Sequence, residues 1–447
     1  MRRIGFIRPN MFPGRASDAM TPLVFGLLAA RTPADIETVL WDERVEPIPL
    51  DADVDLVAIT VETYTARRAY QIAMRYRQRG IPVVMGGYHP TFEPDEALQF
   101  CDAVAIGDGE ELWPRIVEDA RSGNLQPVYR AAGMADLAGP SRPDRTIFKG
   151  KRYAPVDLVQ FGRGCRFNCE FCSIRAFYGS ATGYRDVTQV AAEISDLNRG
   201  HFFFVDDNLF NDRTALKSLL LEIADCGKTW SCQASIDLAD DPELIELMVR
   251  SGCIAVLIGF ESLDADNLKQ MRKGWAIKKG TYAERIRTLR KAGLMIYGTF
   301  VFGYDKDRRD VFDQTAEFAI DNKFFLANFN PLTPMPGTSL YERLKAEGRL
   351  LNDRWWLDEG YRYGDATFLP QGMTANQLTE GCLRARKTFN TFGAIGRRLL
   401  DFRANAATPR RIGFYLLANI ISRREIYAKQ GRPLGEAGLC PKLEAVK

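Results

Sequence analysis

Apolar runs of the buried type alternate with stretches of helical spacing along the first 130 residues. Val54–Thr60 and Ile81–Met85 are continuous apolar runs, the pattern of strands covered on both faces in a parallel sheet. Shorter runs at Arg3–Ile7, Ile36–Trp41 and Ala103–Ile106 read as companion strands. Between them Thr21–Ala30, Thr65–Arg79, Pro94–Phe100 and Glu110–Ser122 have helical periodicity, and Gly80 stands where a C-cap is expected. Strands alternating with helices predict an open, doubly wound, Rossmann-like α/β sheet over residues 1–130.

The pattern then weakens. Residues 125–152 carry Pro127, Gly133, Gly139-Pro140 and Pro143 with little periodicity, so a linker is placed at 131–154. A second β/α series fills 155–336. Its strands are Leu158–Phe161, Phe202–Val205, Thr229–Ser235, Ala255–Phe260, Met295–Phe302 and Ala327–Pro331. Helices at Val187–Arg199, Arg213–Cys226, Asp241–Ser251 and Thr281–Ala292 separate them. Six such strands predict a partial (β/α)6 barrel, whose chemistry gathers at the C-terminal strand ends. Residues 337–447 read as a helical region.

Composition narrows the class. A chain of 447 residues exceeds one ordinary core. With 46% hydrophobic and 26% charged residues it has the balance of a soluble globular protein. A net charge of +3 gives no general attraction to nucleic acid or membranes. No apolar run reaches the roughly 20 residues that span a bilayer. Arg8-Pro9 interrupts any signal-peptide core, so a cytoplasmic location is expected. The only histidines are His89 and His201, which argues against a site built mainly from imidazoles. Three of the nine cysteines crowd into 165–172, which suits a thiolate-ligated metal in a reducing compartment better than a disulfide framework. The others, Cys101, Cys226, Cys232, Cys253, Cys382 and Cys440, read mostly as small core residues.

The first barrel strand runs into Gly162-Arg-Gly-Cys165-Arg-Phe-Asn-Cys169-Glu-Phe-Cys172. Three thiolates in one loop can face a single cuboidal iron–sulfur core and leave one iron open to a chelating substrate. A zinc knuckle needs a fourth ligand nearby, and the next candidates are His201 and Cys226. The C-x3-C-x2-C spacing, with Phe171 before the last cysteine, resembles the signature of the radical SAM superfamily. That resemblance implies a [4Fe–4S] cluster on Cys165, Cys169 and Cys172. The open iron binds the amino and carboxylate groups of S-adenosylmethionine (SAM), and one electron breaks a carbon–sulfur bond. It also implies SAM contacts from Phe171, from Asp206 after strand two, and from Gln233 and Ser235 on strand three. Glu261 and Ser262, in a G-x-E-S-like element ending strand four, and Gly298 on strand five complete the set. Taken alone, a glutamate at a strand end is more simply a salt-bridged group. Arg185 matches a common family position, and fits a salt bridge to Glu193 equally well.

Two elements of the first domain, Gly86-Gly-Tyr-His-Pro-Thr91 and Ile106-Gly-Asp-Gly-Glu-Glu111, resemble the cobalamin-binding domain of a large radical SAM subgroup. The histidine that coordinates cobalt from below in Asp-x-His-x-x-Gly versions has no counterpart in the loops Arg8–Gly14 or Val61–Thr65. Cobalamin would therefore bind without a histidine lower ligand, and His89 is expected to organise its loop. Read as a phosphate loop, Gly107–Glu110 lacks the Lys-Ser/Thr that chemistry requires.

The resemblance implies a cobalamin-dependent methyl or alkyl transferase acting on a small molecule, with a flavodoxin or ferredoxin-type electron donor. The alternative is a cobalamin-independent enzyme with a degenerate first domain that performs aminocarboxypropyl transfer, cyclisation or C–C bond formation. An RNA-modifying methylthiotransferase would need three further N-terminal cysteines, and only Cys101 precedes Cys165, so no nucleic-acid partner is expected. The stretch 397–432 carries nine Arg or Lys around an apolar centre. That composition fits either a segment lying on a membrane or lipid surface, or a lid with its apolar face on the barrel and a solvated basic face; the lid is the expectation.

Overall fold

The computed structural model describes residues 1–137 and 142–437. The first sheet contains β1 (Arg3–Arg8), β2 (Glu37–Asp42), β3 (Leu56–Thr60), β4 (Val83–Gly86), β5 (Ala103–Ile106) and β6 (Val128–Arg130). All are parallel, in the order β2-β1-β3-β4-β5-β6. The order reverses between β1 and β3, and such a switch point opens a crevice at the C-terminal strand ends. One face carries the helices Leu23–Ala29 and Gly109–Arg121 through Phe25, Trp113 and Ile116. The other carries Ala66–Arg77 through Tyr70, Ile72 and Tyr76.

Two details depart from the sequence pattern. Strand β6 lies in the stretch read as aperiodic, because three residues pairing on one edge are too short to show alternation. The helix expected at Pro94–Phe100 is present as the shorter Pro94–Ala97, and a further short helix, Tyr88–Phe92, precedes it. Pro90 stands in the first turn of the latter, where a missing N–H costs nothing.

The second sheet holds β7 (Asp157–Val159), β10 (His201–Phe204), β11 (Thr229–Ala234), β12 (Cys253–Glu261), β13 (Met295–Phe302) and β14 (Leu326–Pro331). A two-stranded hairpin of β8 (Gly162–Arg163) and β9 (Gly183–Tyr184) stands between β7 and β10. The six strands run parallel in the order β14-β13-β12-β11-β10-β7, with β7 and β14 as unpaired edges of an open arc. Phe204, Trp230, Ile258, Phe260 and Phe300 join the core shared with the helices. The alternate positions, including Gln233, Leu257, Tyr297 and Thr299, are half-buried and face the inner side of the arc.

The last quarter is mainly helical: Ser339–Ala346, Ala375–Phe389, Phe392–Leu399 and Pro409–Lys429. Between these helices Trp355, Trp356 and Tyr361 enter the core of the first sheet, beside Tyr70 and Tyr76. Trp356 donates from Nε1 to Glu96 at 2.9 Å. The Pro409–Lys429 helix packs Phe414 and Tyr415 on the barrel, as a lid should, yet its outer side departs from the expected basic surface: Leu416, Leu417 and Ile420 lie exposed there. Among the described residues no helix is long and apolar enough to cross a membrane. Cys232, Cys253 and Cys382 are core residues, and Cys440 lies outside the described residues.

Candidate active site

The three-cysteine loop leaves β7 and is braced by backbone hydrogen bonds. Gly164 has a φ of 83°, and any Cβ there would run into the Ala181 carbonyl, so only glycine fits the turn. Asp206, just after β10, accepts from the amides of Phe161 (3.0 Å) and Gly162. Asp207 accepts from Gly164 N at 2.8 Å, and Asn211 donates to Gly164 O at 2.7 Å. Asn208 Nδ2 lies 3.7 Å from Cys165 Sγ. At the far side of the loop Phe167 stacks on Trp275 with ring centroids 3.8 Å apart, and Glu170 pairs with Arg343 at 2.8 Å.

All three cysteines are free and half-buried. Burial pushes the Cys169 thiol up to about 12 and raises that of Cys172. Among the described residues no three His, Cys, Asp or Glu side chains are drawn together as the ligands of one ion would be. A loop carrying three soft donors fits the separate corners of a polynuclear core.

Beside the loop is a buried ion pair that sequence reasoning missed in part. Lys273 Nζ lies 2.8 Å from Glu261 Oε1, both side chains about nine-tenths buried. Burial works against its charge, yet Glu261 and Cys169 hold the Lys273 ammonium above its ordinary value. Lys273 follows β12 by twelve residues in a loop with no periodic signal, so only three-dimensional proximity reveals it.

The other expected site residues are placed variously. Phe171 packs at the barrel-core margin and Gln233 faces the inner side of the arc. Ser235 donates to Asp237, and Ser262 Oγ accepts from Asp264 N at 3.1 Å, so both hydroxyls serve local turns. Asp206 departs from the expectation: both its oxygens accept backbone amides of the cluster loop, which makes it a brace. Burial raises its carboxyl to about 7. Gly298 departs as well. Strand alternation turns it toward the helices, where a Cβ would collide with Phe324; its neighbours Tyr297 and Thr299 face inward instead. Arg185 forms the salt bridge, at 2.7 Å from Glu193 with both side chains buried.

A cavity of about 440 Å³ lies between the C-terminal edge of the first sheet and the cluster loop. Its sheet side includes Thr60, Gly86, Gly87 and Gly107, and its deep wall is apolar, with Phe25, Leu28 and Trp113. Gly87 has a φ of 106°, and a Cβ there would stand 2.8 Å from the Val61 carbonyl. Thr91 Oγ1 accepts from Gly107 N at 3.1 Å, tying the two glycine loops together. Opposite them are Val205, Asp207, Phe177 and Tyr178 from the cluster side. Arg163, two residues before Cys165, crosses to Asp108 (3.0 Å) and Glu110 (2.7 Å), and Tyr178 donates to Asp108 at 2.7 Å. Neither histidine lines the cavity. His89 is fully buried, with Nε2 at 3.0 Å from Tyr70 Oη and 3.1 Å from Glu96, as a loop-organising residue would be. A roomy crevice at the switch point with a glycine rim and an apolar depth fits a large planar cofactor.

Comparison with known proteins agrees with this geometry. The family model described as "Radical SAM superfamily" matches residues 159–319, and that described as "B12 binding domain" matches 32–117. The bacteriochlorophyllide d C-12(1)-methyltransferase of Chlorobaculum tepidum is 31% identical over 390 residues, covering 85% of this chain and 84% of that protein. The chain belongs to the cobalamin-dependent radical SAM family. The bacteriochlorophyllide d C-8(2)-methyltransferase of the same organism is 30% identical over 74% of this chain and 78% of its own length. The hopanoid C-2 methylase of Rhodopseudomonas palustris is 25% identical over 75% and 66%. Among solved structures, the cobalamin-dependent SAM radical enzyme OxsB shares the fold with a TM-score of 0.65 at 12% identity, over 96% of this chain and 72% of that one. TsrM from Kitasatospora setae gives 0.62 at 16%, over 77% and 75%. As a member of the family the protein is an enzyme of the methyl/alkyl transferase class that uses a [4Fe–4S] cluster, SAM and cobalamin.

Proposed function

We propose that this radical SAM enzyme methylates an unactivated carbon on the periphery of a planar tetrapyrrole. The cavity set between the first sheet and the cluster loop carries the transferase part of this reading, because one space is shared by both halves. The tetrapyrrole is supported by the two relatives that are at least 30% identical and are named as bacteriochlorophyllide d methyltransferases. When bound, the cluster supplies the electron that breaks a carbon–sulfur bond of SAM, and cobalamin carries the methyl group.

In this reading residues 1–130 hold cobalamin, 131–154 link, 155–336 hold cluster and SAM, and 337–447 close the structure. Cys165, Cys169 and Cys172 ligate the cluster. The Glu261–Lys273 pair offers a carboxylate and an ammonium to the complementary groups of the SAM zwitterion. Phe171 and Gln233 bound the same space. The glycine loops of β4 and β5 seat the corrin, and Arg163 fixes them relative to the cluster. The balance is two SAM and two electrons from a flavodoxin or ferredoxin-type donor, which places the enzyme in a reducing cytoplasm. The products are one S-adenosylhomocysteine, one methionine, one 5′-deoxyadenosine and the methylated substrate.

Mass spectrometry of the nucleosides, with and without cobalamin, tests the reading using a tetrapyrrole acceptor. S-adenosylhomocysteine and 5′-deoxyadenosine in equal amounts, dependent on cobalamin, are expected. Methylthioadenosine from cobalamin-free enzyme would instead establish aminocarboxypropyl transfer.

A further inference from the structure

The Pro409–Lys429 helix is apolar on two sides. Its inner side buries Tyr415 and Asn419, and Phe414 packs against Phe325 at a centroid distance of 5.3 Å. On its outer side Arg410, Gly413, Leu417, Ile420, Arg424 and Tyr427 recur at spacings of three and four, and all are exposed. The preceding Phe392–Leu399 helix repeats the arrangement: Phe392, Gly396, Arg397 and, just beyond its end, Leu400 and Phe402 point to solvent. The two outer faces are continuous. The Arg423 guanidinium lies 4.7 Å from the Phe392 ring of one helix and 5.5 Å from the Tyr427 ring of the other.

The six large apolar side chains of this surface are between 56% and 75% exposed, far more than scattered surface residues require. Large apolar side chains clustered on the solvent side of a helix, beyond those it buries on its inner side, mark a surface built for a partner. The charges on the surface identify the partner's chemistry. Arg403, Arg410 and Arg424 are exposed and have no carboxylate within ion-pair distance among the described residues. No exposed position on either helix is Asp or Glu; Glu425 is turned to Lys429 and Ser17, and Asp401 is buried against Arg290. A second copy of the chain is a poor occupant, since a two-fold contact would join two basic surfaces that offer no acidic residue to each other.

We infer that the outer faces of the Phe392–Leu399 and Pro409–Lys429 helices form a docking surface for an anionic lipid bilayer. The apolar side chains enter the acyl boundary, and Arg403, Arg410 and Arg424 meet the lipid phosphates. This surface is independent of the substrate assigned above and stands or falls without it.

Co-sedimentation of the reconstituted full-length enzyme with sucrose-loaded vesicles tests the inference. Vesicles of phosphatidylcholine and phosphatidylglycerol, at about seven to three, are compared with pure phosphatidylcholine. Binding to the anionic vesicles alone, lost as salt rises from about 0.05 M to about 0.5 M, is expected. Leu417→Glu/Ile420→Glu and Arg410→Glu/Arg424→Glu should each lower the partition coefficient roughly tenfold or more. Both double variants should keep wild-type iron content and SAM cleavage with a chemical reductant. Wild-type enzyme left in the supernatant, or variants that still sediment with vesicles, would overturn the inference. So would a dimer in sedimentation velocity that Leu417→Glu/Ile420→Glu dissolves without any vesicle binding.

Discussion

At the residue scale the Glu261–Lys273 pair is where conformation and charge meet. Glu261 has a φ of 63°, and the register between β12 and β13 shifts beside it. A non-glycine residue in that region costs about 1–3 kcal/mol, and such strain concentrates at functional sites. The bend turns the Glu261 carboxylate back over Gly259, where any Cβ would collide with it. The glycine of the G-x-E-S element is therefore required by the ion pair. Removing either partner leaves the other buried without compensation. Glu261→Gln and Lys273→Met are each expected to weaken SAM binding by at least roughly tenfold, about 1.4 kcal/mol. Iron should stay at about four per chain, the content of an intact four-iron cluster. Equilibrium binding and iron analysis on the same samples check this; loss of iron would reassign the pair to support of the cluster loop.

His201 makes a second residue-scale case. Burial pushes its imidazole down to about 4, while its two ring nitrogens face the Thr229 and Ser231 hydroxyls at 2.9 and 3.1 Å. The unfolded chain, with an ordinary histidine, binds the proton first as the pH falls. Folding stability from this site is thus fully present above about pH 6.5 and is lost progressively down to about pH 4, by up to about 3 kcal/mol. Denaturant titrations across that window should show a shallower fall for His201→Gln than for the wild type.

At the scale of elements, the cluster hairpin depends on Gly164. Gly164→Ala combines a forbidden φ with a collision against the Ala181 carbonyl, whereas Gly179→Ala in the same segment, with a φ of 60°, meets open space. The first should displace the loop and reduce iron incorporation severalfold. The second is strained by its backbone alone, at φ 60° and ψ −124°, and should cost about 1–3 kcal/mol of stability and keep the cluster. Iron and sulfide analysis after anaerobic reconstitution separates the two outcomes.

This contrast also shows what was legible in the sequence. The strands of both sheets other than β6, their order along the chain and the three cysteines follow from apolar runs and spacing, because each signal is local. The protein neighbours of Asp206 and Gly298 are not legible in the sequence for one reason: a strand position says that a side chain lies at a strand end but not which face it takes. One residue of register separates Gly298, against Phe324, from Tyr297 on the inner side. Lys273 and Arg163 carry no pattern of their own, and their roles come from partners twelve and more than fifty residues away.

At the scale of the molecule, two buried ties hold the halves in one geometry. Arg163 joins the strand before Cys165 to the loop after β5, where the Glu110 and Asp108 carboxylates outweigh the burial of its guanidinium and raise it further above its ordinary value. In the proposed reading a rigid tie of this kind holds two cofactor sites in register across one cavity, since small displacements between reacting groups are expensive in rate. The second tie is Trp356, inserted beside Tyr70 and held by Glu96, which also receives His89 and Tyr70.

That second tie bears on how the protein is made. The first sheet leaves the ribosome early, yet its core lacks Trp355, Trp356 and Tyr361 until more than two hundred further residues have been translated. Vectorial synthesis therefore holds the amino-terminal half in an unfinished, chaperone-accessible state while the barrel forms. Completion of the core on that face of the first sheet then becomes a late event in biogenesis, coupled to emergence of the carboxy-terminal quarter.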